Sequence, residues 1–411
     1  MKRSIFFLAC AVCLAYFAAC NGPHTPNPAA GDGRDSFLIK GSIAGLDTGT
    51  VKLYSNNEDE RSNKLLDSVA FKDGTFLLTG KLAYPQMLSI VVDPGGWSFQ
   101  VFTENADIQI KGDTAGSNYF DWTKYGGRRG AELKNFTITG SEGQDVLNAY
   151  NNDTGLKRYD PVMNDLGKKL AVEKNVDEEY RIRDRIDSVR AMKTALQMEW
   201  INHYVTLHPA SVAGVYLFSD LYRFNSTMPI PELDSTLKKF SGQATATHYY
   251  RSMASSLAKR KALTPGNQAP DFTLLKRDST PFTLSSSRGR YVMLDFWASW
   301  CHPCRQAIPH WKGVYAKYHA SGLDIISISD DNRWKDWFKA MDQEKMPWLQ
   351  VCDEFPIKNF PAKVGTLYMT NYIPFYVLLD KDGKILVYTG NEGDIDKKLA
   401  ELFSVITDKK M

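Results

Sequence analysis

Two cysteines separated by two residues, Cys301 and Cys304, carry the clearest chemistry in the sequence. They follow an apolar run over residues 291–297 that predicts a buried strand, and they begin a segment with a helical pattern. On one helical turn two such sulfurs can form a disulfide, and the N–H groups at the helix start stabilise a thiolate on the first. We therefore predict that Cys301 is an exposed nucleophile and that the shielded Cys304 attacks the mixed disulfide to release the partner.

The residues around this cysteine pair indicate which of two chemistries, disulfide exchange or zinc binding, it performs. His302 lies between the cysteines as a polar or cationic neighbour, which favours the reduced form and makes the pair a stronger oxidant than glycine would. A zinc half-site is another use of this spacing, but it needs a second cysteine pair or histidines at ligand spacing, and none follows. We therefore expect no metal, and no cofactor beyond a redox-active disulfide.

The ten residues from Asp295 to Cys304, DFWASWCHPC, closely match the active-site string of thioredoxins. Pro309 also matches the proline that kinks the active-site helix of that family. Residues 264–411 thus resemble a thioredoxin-fold domain of the membrane-anchored TlpA/ResA type of thiol-disulfide oxidoreductase. The resemblance implies that four residues contact the substrate: Trp300, His302, Pro303 and Ile373.

The same resemblance gives roles to residues outside the cysteine motif. Ile373 and Pro374 match the isoleucine and cis-proline that face the cysteines in thioredoxins, where the backbone before the proline pairs with an incoming peptide. Asp295 matches the buried carboxylate that accepts a proton from Cys304 during resolution. The expected catalytic residues are therefore Cys301, Cys304, Asp295 and Pro374.

Two positions argue against more specialised activities. Many cytochrome-maturation members of the TlpA/ResA group carry a glutamate six residues after the first cysteine, where this sequence has Ala307. A dedicated role in haem-protein maturation is therefore not expected. Residues 269–272 resemble the opening of peroxiredoxins, but a peroxidase needs threonine or serine three residues before its cysteine, and Ala298 occupies that place.

Hydrophobic periodicity predicts that strands and helices alternate over residues 264–411, as in an α/β sheet covered on both faces. Residues 332–372 are long compared with a minimal thioredoxin, so the resemblance to the TlpA/ResA group implies an additional helix and strand there. The predicted elements are a strand at 291–297, a helix at 304–319, a strand at 323–329, a hairpin of strands 375–380 and 384–388, and a helix at 394–406.

The preceding residues predict two further regions. Short β-rich runs over residues 36–140, with Asp73 and Gly74 as a hairpin turn, indicate a small antiparallel, sandwich-like β domain. Residues 141–263 change to a helical period, with an apolar stripe from Ile182 to Trp200. This order before a thioredoxin domain resembles Bacteroidetes lipoproteins that carry a domain of unknown function (DUF4369-like).

The start of the chain resembles a bacterial lipoprotein leader. A charged start and a short apolar run ending at Ala19 precede Cys20 in a lipobox-like sequence. We expect residues 1–19 to be a removed signal peptide, the Cys20 thiol to receive a lipid, and residues 20–35 to form a flexible tether. The chain would then lie at the bacterial cell envelope and face the periplasm.

Composition and the remaining cysteines limit the partners. Fifty lysines and arginines nearly balance 47 aspartates and glutamates, so nucleic acid is not an expected partner. Cys10 and Cys13 should leave with the signal peptide, and Cys352 is expected to be a partly buried small hydrophobic residue and not a third redox centre. The expected partners are periplasmic proteins with thiols or disulfides, a membrane electron donor or acceptor, and the membrane itself. The alternative to an enzyme is a binding protein: a non-catalytic lipoprotein whose β and helical regions hold a partner or ligand.

Overall fold

The computed structural model describes residues 35–55, 63–125, 127–226, 228–354 and 362–408. These residues form two compact units. The first contains the described residues up to 226 together with Lys238–Arg251, and the second contains Met228–Leu237 together with the described residues from Ser252 onward. The leader, Cys20 and nearly all of the tether lie outside the described residues, so the predictions made for them stay predictions.

The first unit is built on one continuous mixed sheet of ten strands within the described residues. The strand order is β10-β7-β1-β4-β3-β2-β5-β6-β9-β8, with parallel pairing of β1 with β7 and of β6 with β9 and antiparallel pairing elsewhere. Alternating burial along β1 places Phe37, Ile39 and Ile43 in the core. The strands are β1 Phe37–Ala44, β2 Thr48–Ser55, β3 Leu65–Lys72, β4 Thr75–Gly80, β5 Gln86–Asp93, β6 Trp97–Thr103, β7 Asp107–Asp113, β8 Asn118–Asp121, β9 Arg129–Glu132 and β10 Asn135–Thr139.

The predicted hairpin turn at Asp73 and Gly74 is confirmed. Both residues have positive φ angles, 53° and 66°, which is the backbone that a tight turn between β3 and β4 requires. The short β-rich runs predicted over residues 36–140 are also observed as strands. The predicted antiparallel, sandwich-like domain is observed as one hydrogen-bonded sheet that is antiparallel except for two pairs. The sequence did not indicate these parallel pairs, because parallel neighbours such as β1 and β7 lie far apart in the chain.

Eight helices follow this sheet in the described chain before β11 begins. The longest, α4, buries Ile182, Ile186 and Val189 as predicted, but Met192 is 49% exposed. Short connections join α4 to α3 at one end and α5 at the other, and it packs on both, so its buried side changes along its length. The helices are α1 Glu142–Asn151, α2 Thr154–Lys157, α3 Asp160–Val172, α4 Val176–Leu207, α5 Val212–Phe224, α6 Ile230–Leu237, α7 Gly242–Thr245 and α8 His248–Ala262.

The second unit contains a seven-stranded sheet with the order β12-β11-β15-β14-β13-β16-β17. The central β13 runs parallel to β14 and antiparallel to β16, and this confirms the predicted α/β thioredoxin fold. Its elements are β11 Thr273–Lys276, β12 Pro281–Thr283, β13 Tyr291–Trp297, α9 His302–Tyr318, β14 Leu323–Ser329, α10 Trp334–Glu344, β15 Leu349–Cys352, α11 Lys363–Leu367, β16 Phe375–Leu379, β17 Ile385–Thr389 and α12 Glu392–Asp408. Helix α10 and β15 are the additional helix and strand expected before residue 372.

Both faces of β13 are buried, which is why its sequence is apolar at almost every position. Val292, Leu294 and Phe296 pack in one core cluster. On the opposite face, Met293 packs with residues of α9 and α12, and Trp297 packs with the N-terminal part of α9. Within the described residues, no helix is both long enough and apolar enough to cross a bilayer.

Candidate active site

Cys301 and Cys304 are joined by a disulfide, with an S–S distance of 1.99 Å and a Cα–Cα distance of 5.4 Å. Strand β13 ends at Trp297, and after a short loop Cys301 is the N-cap residue of α9. The Cys304 backbone N–H donates to the Cys301 sulfur at 3.2 Å. The strand and helix therefore hold the first sulfur directly at the positive end of the helix, where negative charge on sulfur is stabilised.

The burial of the pair differs from the sequence-based expectation. Cys301 is 4% exposed and Cys304 is 3% exposed, so the first cysteine is not the exposed one in this oxidised state. Both pack in an apolar cluster with Trp297 and Ile308. The two sulfurs differ instead in their position relative to the end of the helix.

The residues predicted to contact substrate fall into two groups. Trp300 is 66% exposed, and His302 and Pro303 are also exposed at the start of α9. Ile373 is half-buried and packs against the cluster that contains both cysteines. The Ile373–Pro374 peptide bond is cis, and β16 begins directly after it beside β13. The fold therefore brings the predicted Ile373–Pro374 pair to the side of the disulfide.

Asp295 is buried in the middle of β13, with 4% of its surface exposed. Side chains alternate along a strand, so Asp295 points to the same face as Met293 and Trp297, which is the face covered by α9. The Ser327 hydroxyl donates to Asp295 Oδ2 at 2.7 Å. Burial raises the pKa of Asp295 to about 7, while the Ser327 hydrogen bond lowers it and the charge of Glu392 raises it. This carboxyl can therefore gain and lose a proton near neutral pH.

Asp331 is a residue of the site that the sequence did not reveal. Its buried carboxylate accepts the Ser299 backbone N–H at 2.9 Å, the Ser299 hydroxyl at 2.6 Å and the Ser329 hydroxyl at 2.7 Å. Asp331 follows β14, and Ser299 lies in the loop after the parallel neighbour β13, so both lie at the same edge of the sheet. The available sequence signal was the pair of aspartates, Asp330 and Asp331, that follows the predicted strand 323–329.

Comparison with known proteins agrees with this geometry. Residues 264–406 match the family model for Redoxin, and residues 37–147 match the model for a domain of unknown function (DUF4369). The thiol-disulfide oxidoreductase ResA of Bacillus cereus is 28% identical over 133 residues, which cover 31% of this chain and 71% of that protein. ResA of Oceanobacillus iheyensis is 40% identical over 130 residues, which cover 29% of this chain and 62% of that protein.

Two solved structures are similar to the same part of the chain. A putative thiol:disulfide interchange protein DsbE from Chlorobium tepidum is 30% identical, and the match covers 34% of this chain and 96% of that one, with a TM-score of 0.31. The thioredoxin domain of a thiol-disulfide oxidoreductase from Bacteroides vulgatus is 28% identical, with coverage of 34% and 97% and a TM-score of 0.31. Residues 264–406 form a Redoxin-family domain, and the curated relatives of this part of the chain are thiol-disulfide oxidoreductases. The family resemblance stated from the sequence is therefore confirmed.

Ala307, which stands where many cytochrome-maturation relatives carry a glutamate, makes an apolar contact in this oxidoreductase. Ala307 is 5% exposed and packs with Met293 and Trp311 between β13 and α9. Asp295 points to the same face of β13, so the acidic group on this face comes from the strand. The predicted Pro309 lies inside α9.

Cys352, at the end of β15, is the third cysteine among the described residues of the oxidoreductase. It is 2% exposed and belongs to the same apolar cluster as Cys301 and Cys304. Burial raises the pKa of the Cys352 thiol to about 12, and the charges of Asp331 and Asp353 raise it further. The thiol therefore stays protonated at neutral pH, as the predicted role of a small hydrophobic residue requires.

Proposed function

We propose that this oxidoreductase exchanges electrons with protein disulfides and thiols in the periplasm while a lipid on Cys20 holds it to the membrane. The observation that supports the exchange most directly is the Cys301–Cys304 disulfide at the N-terminus of α9, with Ile373 packed against the same cluster. The lipid anchor and the periplasmic location rest on the leader sequence alone.

The proposed reaction in the reducing direction has two steps. The Cys301 thiolate attacks one sulfur of a partner disulfide, which forms a mixed disulfide and releases the other partner sulfur as a thiolate. Asp295 then takes the proton of the Cys304 thiol, and the Cys304 thiolate attacks the Cys301 sulfur. The Cys301–Cys304 disulfide forms, and the second partner sulfur leaves and takes a proton from water. Two electrons pass from the pair to the partner, and the reverse sequence oxidises a partner dithiol.

This chemistry requires no cofactor besides the cysteine pair, because the sulfurs carry both electrons. Continued turnover in one direction requires a second partner that restores the starting state of the pair. We assign that role to a membrane electron donor or acceptor, which a lipid on Cys20 would keep close. Trp300 and the backbone before Pro374 would contact the polypeptide that carries the partner sulfur.

Trapping of the mixed disulfide tests the proposal. Without a resolving thiol, the Cys304→Ser variant should retain partners covalently on Cys301, and a reductant should release them. The Cys301→Ser variant is the matched control, since it keeps the resolving position but lacks the nucleophile. Equal recovery of partners from both variants would contradict the assignment of Cys301. Reduction of insulin by the full chain should also be lost in Cys301→Ser.

The anchor is tested separately. Wild-type protein expressed with its leader should fractionate with membranes and incorporate labelled fatty acid, whereas Cys20→Ala should do neither. Membrane association that persists in Cys20→Ala would contradict lipidation at this residue while leaving the exchange reaction untouched.

A further inference from the structure

The buried face of the sheet under α9 contains a row of polar residues. Asp295 of β13 is paired in register with Ser327 of β14 on one side and with Tyr376 of β16 on the other. Directly paired residues on neighbouring strands point to the same face, so these side chains lie side by side. Ser327 and Tyr376 are both fully buried, at 0% exposure. Burying polar groups costs free energy unless each finds a hydrogen-bond partner, so the hydrogen bonds within this row need an explanation.

The hydrogen bonds in this row have a fixed direction. The Trp348 Nε1–H group donates to Ser327 Oγ at 2.8 Å, and Ser327 Oγ is 2.7 Å from Asp295 Oδ2. An indole nitrogen can only donate, so it occupies the acceptor side of the serine hydroxyl. The single hydroxyl hydrogen of Ser327 is then free to point to Asp295 alone. Among the described residues, this is the hydrogen bond that Asp295 receives, and it leaves Oδ1 without a donor.

We propose that Ser327, held in place by Trp348, is a positioning residue that fixes the Asp295 carboxyl so that Oδ1 exchanges the proton with Cys304. This inference rests on the proposed role of Asp295 in the resolving step. The arrangement gives the two carboxyl oxygens different tasks, with Oδ2 anchored to the sheet and Oδ1 available on the face covered by α9. Ser327 acts on the reaction only through Asp295.

The same hydrogen bond also controls how readily Asp295 holds its proton. Burial raises the pKa of Asp295 to about 7, and the Ser327 hydroxyl opposes this because it stabilises the ionised carboxylate. The other titratable groups around Asp295 are Tyr376, its register partner on β16, and Glu392 at the start of α12. Cys304 belongs to α9, the helix that covers this face of β13. Glu392 acts in the same direction as burial. Removing the Ser327 hydroxyl should therefore shift the titration of Asp295 upward.

Titration of the Asp295 carboxyl in the oxidised full-length protein provides the direct test, because Cys301 and Cys304 cannot titrate while they form a disulfide. The carboxyl carbon signal, followed by NMR against pH, should move its midpoint up by about one pH unit in Ser327→Ala. Ser327→Thr keeps the hydroxyl and should stay within about 0.3 units of wild type. Trp348→Phe removes the indole N–H and should shift the midpoint in the same direction as Ser327→Ala. Ser286→Ala, which alters an exposed serine of the same unit, is the control and should not move it.

The rate at which Cys304 attacks the mixed disulfide separates the proton-transfer role of Asp295 from the positioning role of Ser327. In Ser327→Ala the pH dependence of the resolving step should follow the shifted Asp295 midpoint, and Ser327→Thr should restore it. If Asp295→Asn leaves that pH dependence unchanged, the role of Asp295 itself is wrong. If Asp295→Asn abolishes it while Ser327→Ala and Trp348→Phe leave the Asp295 midpoint unmoved, only the positioning role is overturned. Should Ser327→Ala fail to fold, the midpoint in Trp348→Phe decides the question.

Discussion

Asp331 holds Ser299 through two hydrogen bonds at once, accepting its backbone N–H at 2.9 Å and its hydroxyl at 2.6 Å. The Asp330 backbone N–H also donates to the Trp297 carbonyl at 2.8 Å. The loop between β13 and Cys301 is thereby tied to the loop after β14 at two adjacent points. A buried carboxylate with three donors thus fixes the backbone from which the nucleophile is presented.

We predict that Asp331→Ala weakens both stability and exchange. The substitution leaves the Ser299 N–H and two serine hydroxyls without an acceptor, which should lower the free energy of unfolding by about 3 kcal/mol. Insulin reduction should fall about tenfold or more, because the loop before Cys301 loses its attachment. Urea unfolding and initial rates on the full chain measure the two effects.

The matched control for this prediction is Asp342→Asn on the surface of α10. Asp342 is exposed and its carboxylate pairs with Arg277, so its loss should change the free energy of unfolding by less than about 1 kcal/mol. If Asp331→Ala behaves like this control in both assays, the attachment does not contribute as described.

The cysteine motif and its supporting elements were predictable because their signals are local. The CxxC spacing, the apolar run of β13 and the strand of β14 all depend on neighbouring residues, and both strands have the predicted bounds. The hairpin at Asp73 and Gly74 was predictable for the same reason, since turn chemistry is read from adjacent residues.

The contacts of Asp331 and Ser327 were not predictable, because they depend on which residues face each other across strands. Ser327 is opposite Asp295 only in the observed register of β13 and β14, and a slip of one residue would place the hydroxyl on the other face. The exposure of Cys301 was misjudged for a related reason. The spacing gives the position of the sulfur on the helix but not the apolar cluster that closes over the oxidised pair.

Cys352 is predicted to take no part in exchange. Because its thiol is 2% exposed and its pKa is raised to about 12, it should resist iodoacetamide in the reduced native protein at pH 8, while Cys301 reacts. Mass spectrometry of native and urea-unfolded samples measures this difference. Cys352→Ala should keep insulin reduction within about twofold of wild type, since it removes an unreactive group. A large loss of activity in a folded Cys352→Ala protein would show that this thiol does participate.

Ala307→Glu is predicted to destabilise the fold. The new carboxyl would enter the apolar cluster of Met293 and Trp311 without an assigned partner, which should lower the free energy of unfolding by about 3 kcal/mol at pH 7. The loss should shrink as the pH falls, because a protonated carboxyl is less costly to bury. Gln306→Glu adds the same charge at the exposed neighbouring position and should change stability by less than about 0.5 kcal/mol. Equal stability of the two variants at pH 7 would show that the site accommodates a carboxylate.

Asp295 is predicted to make the oxidised protein less stable as the pH rises. Its pKa is raised from an ordinary 3.8 to about 7 in the folded protein, so between these values the folded state binds more protons than the unfolded state. The stability from this group is therefore fully present below about pH 4 and is lost as the pH rises through about 7. A shift of this size corresponds to roughly 4 kcal/mol between the two limits.

Asp295→Asn removes this titration and is close in shape to the native residue. Stability is measured by urea unfolding of both proteins in the oxidised state. The variant should be more stable than wild type at pH 8, and this advantage should disappear at pH 4. Resolution of the mixed disulfide should meanwhile slow in Asp295→Asn, because no carboxylate remains to take the proton of Cys304. An advantage of equal size at both pH values would mean that the carboxyl does not titrate near neutral pH. A variant that gains stability at pH 8 and loses resolution would show that one buried charge is kept at a cost in stability for the exchange reaction.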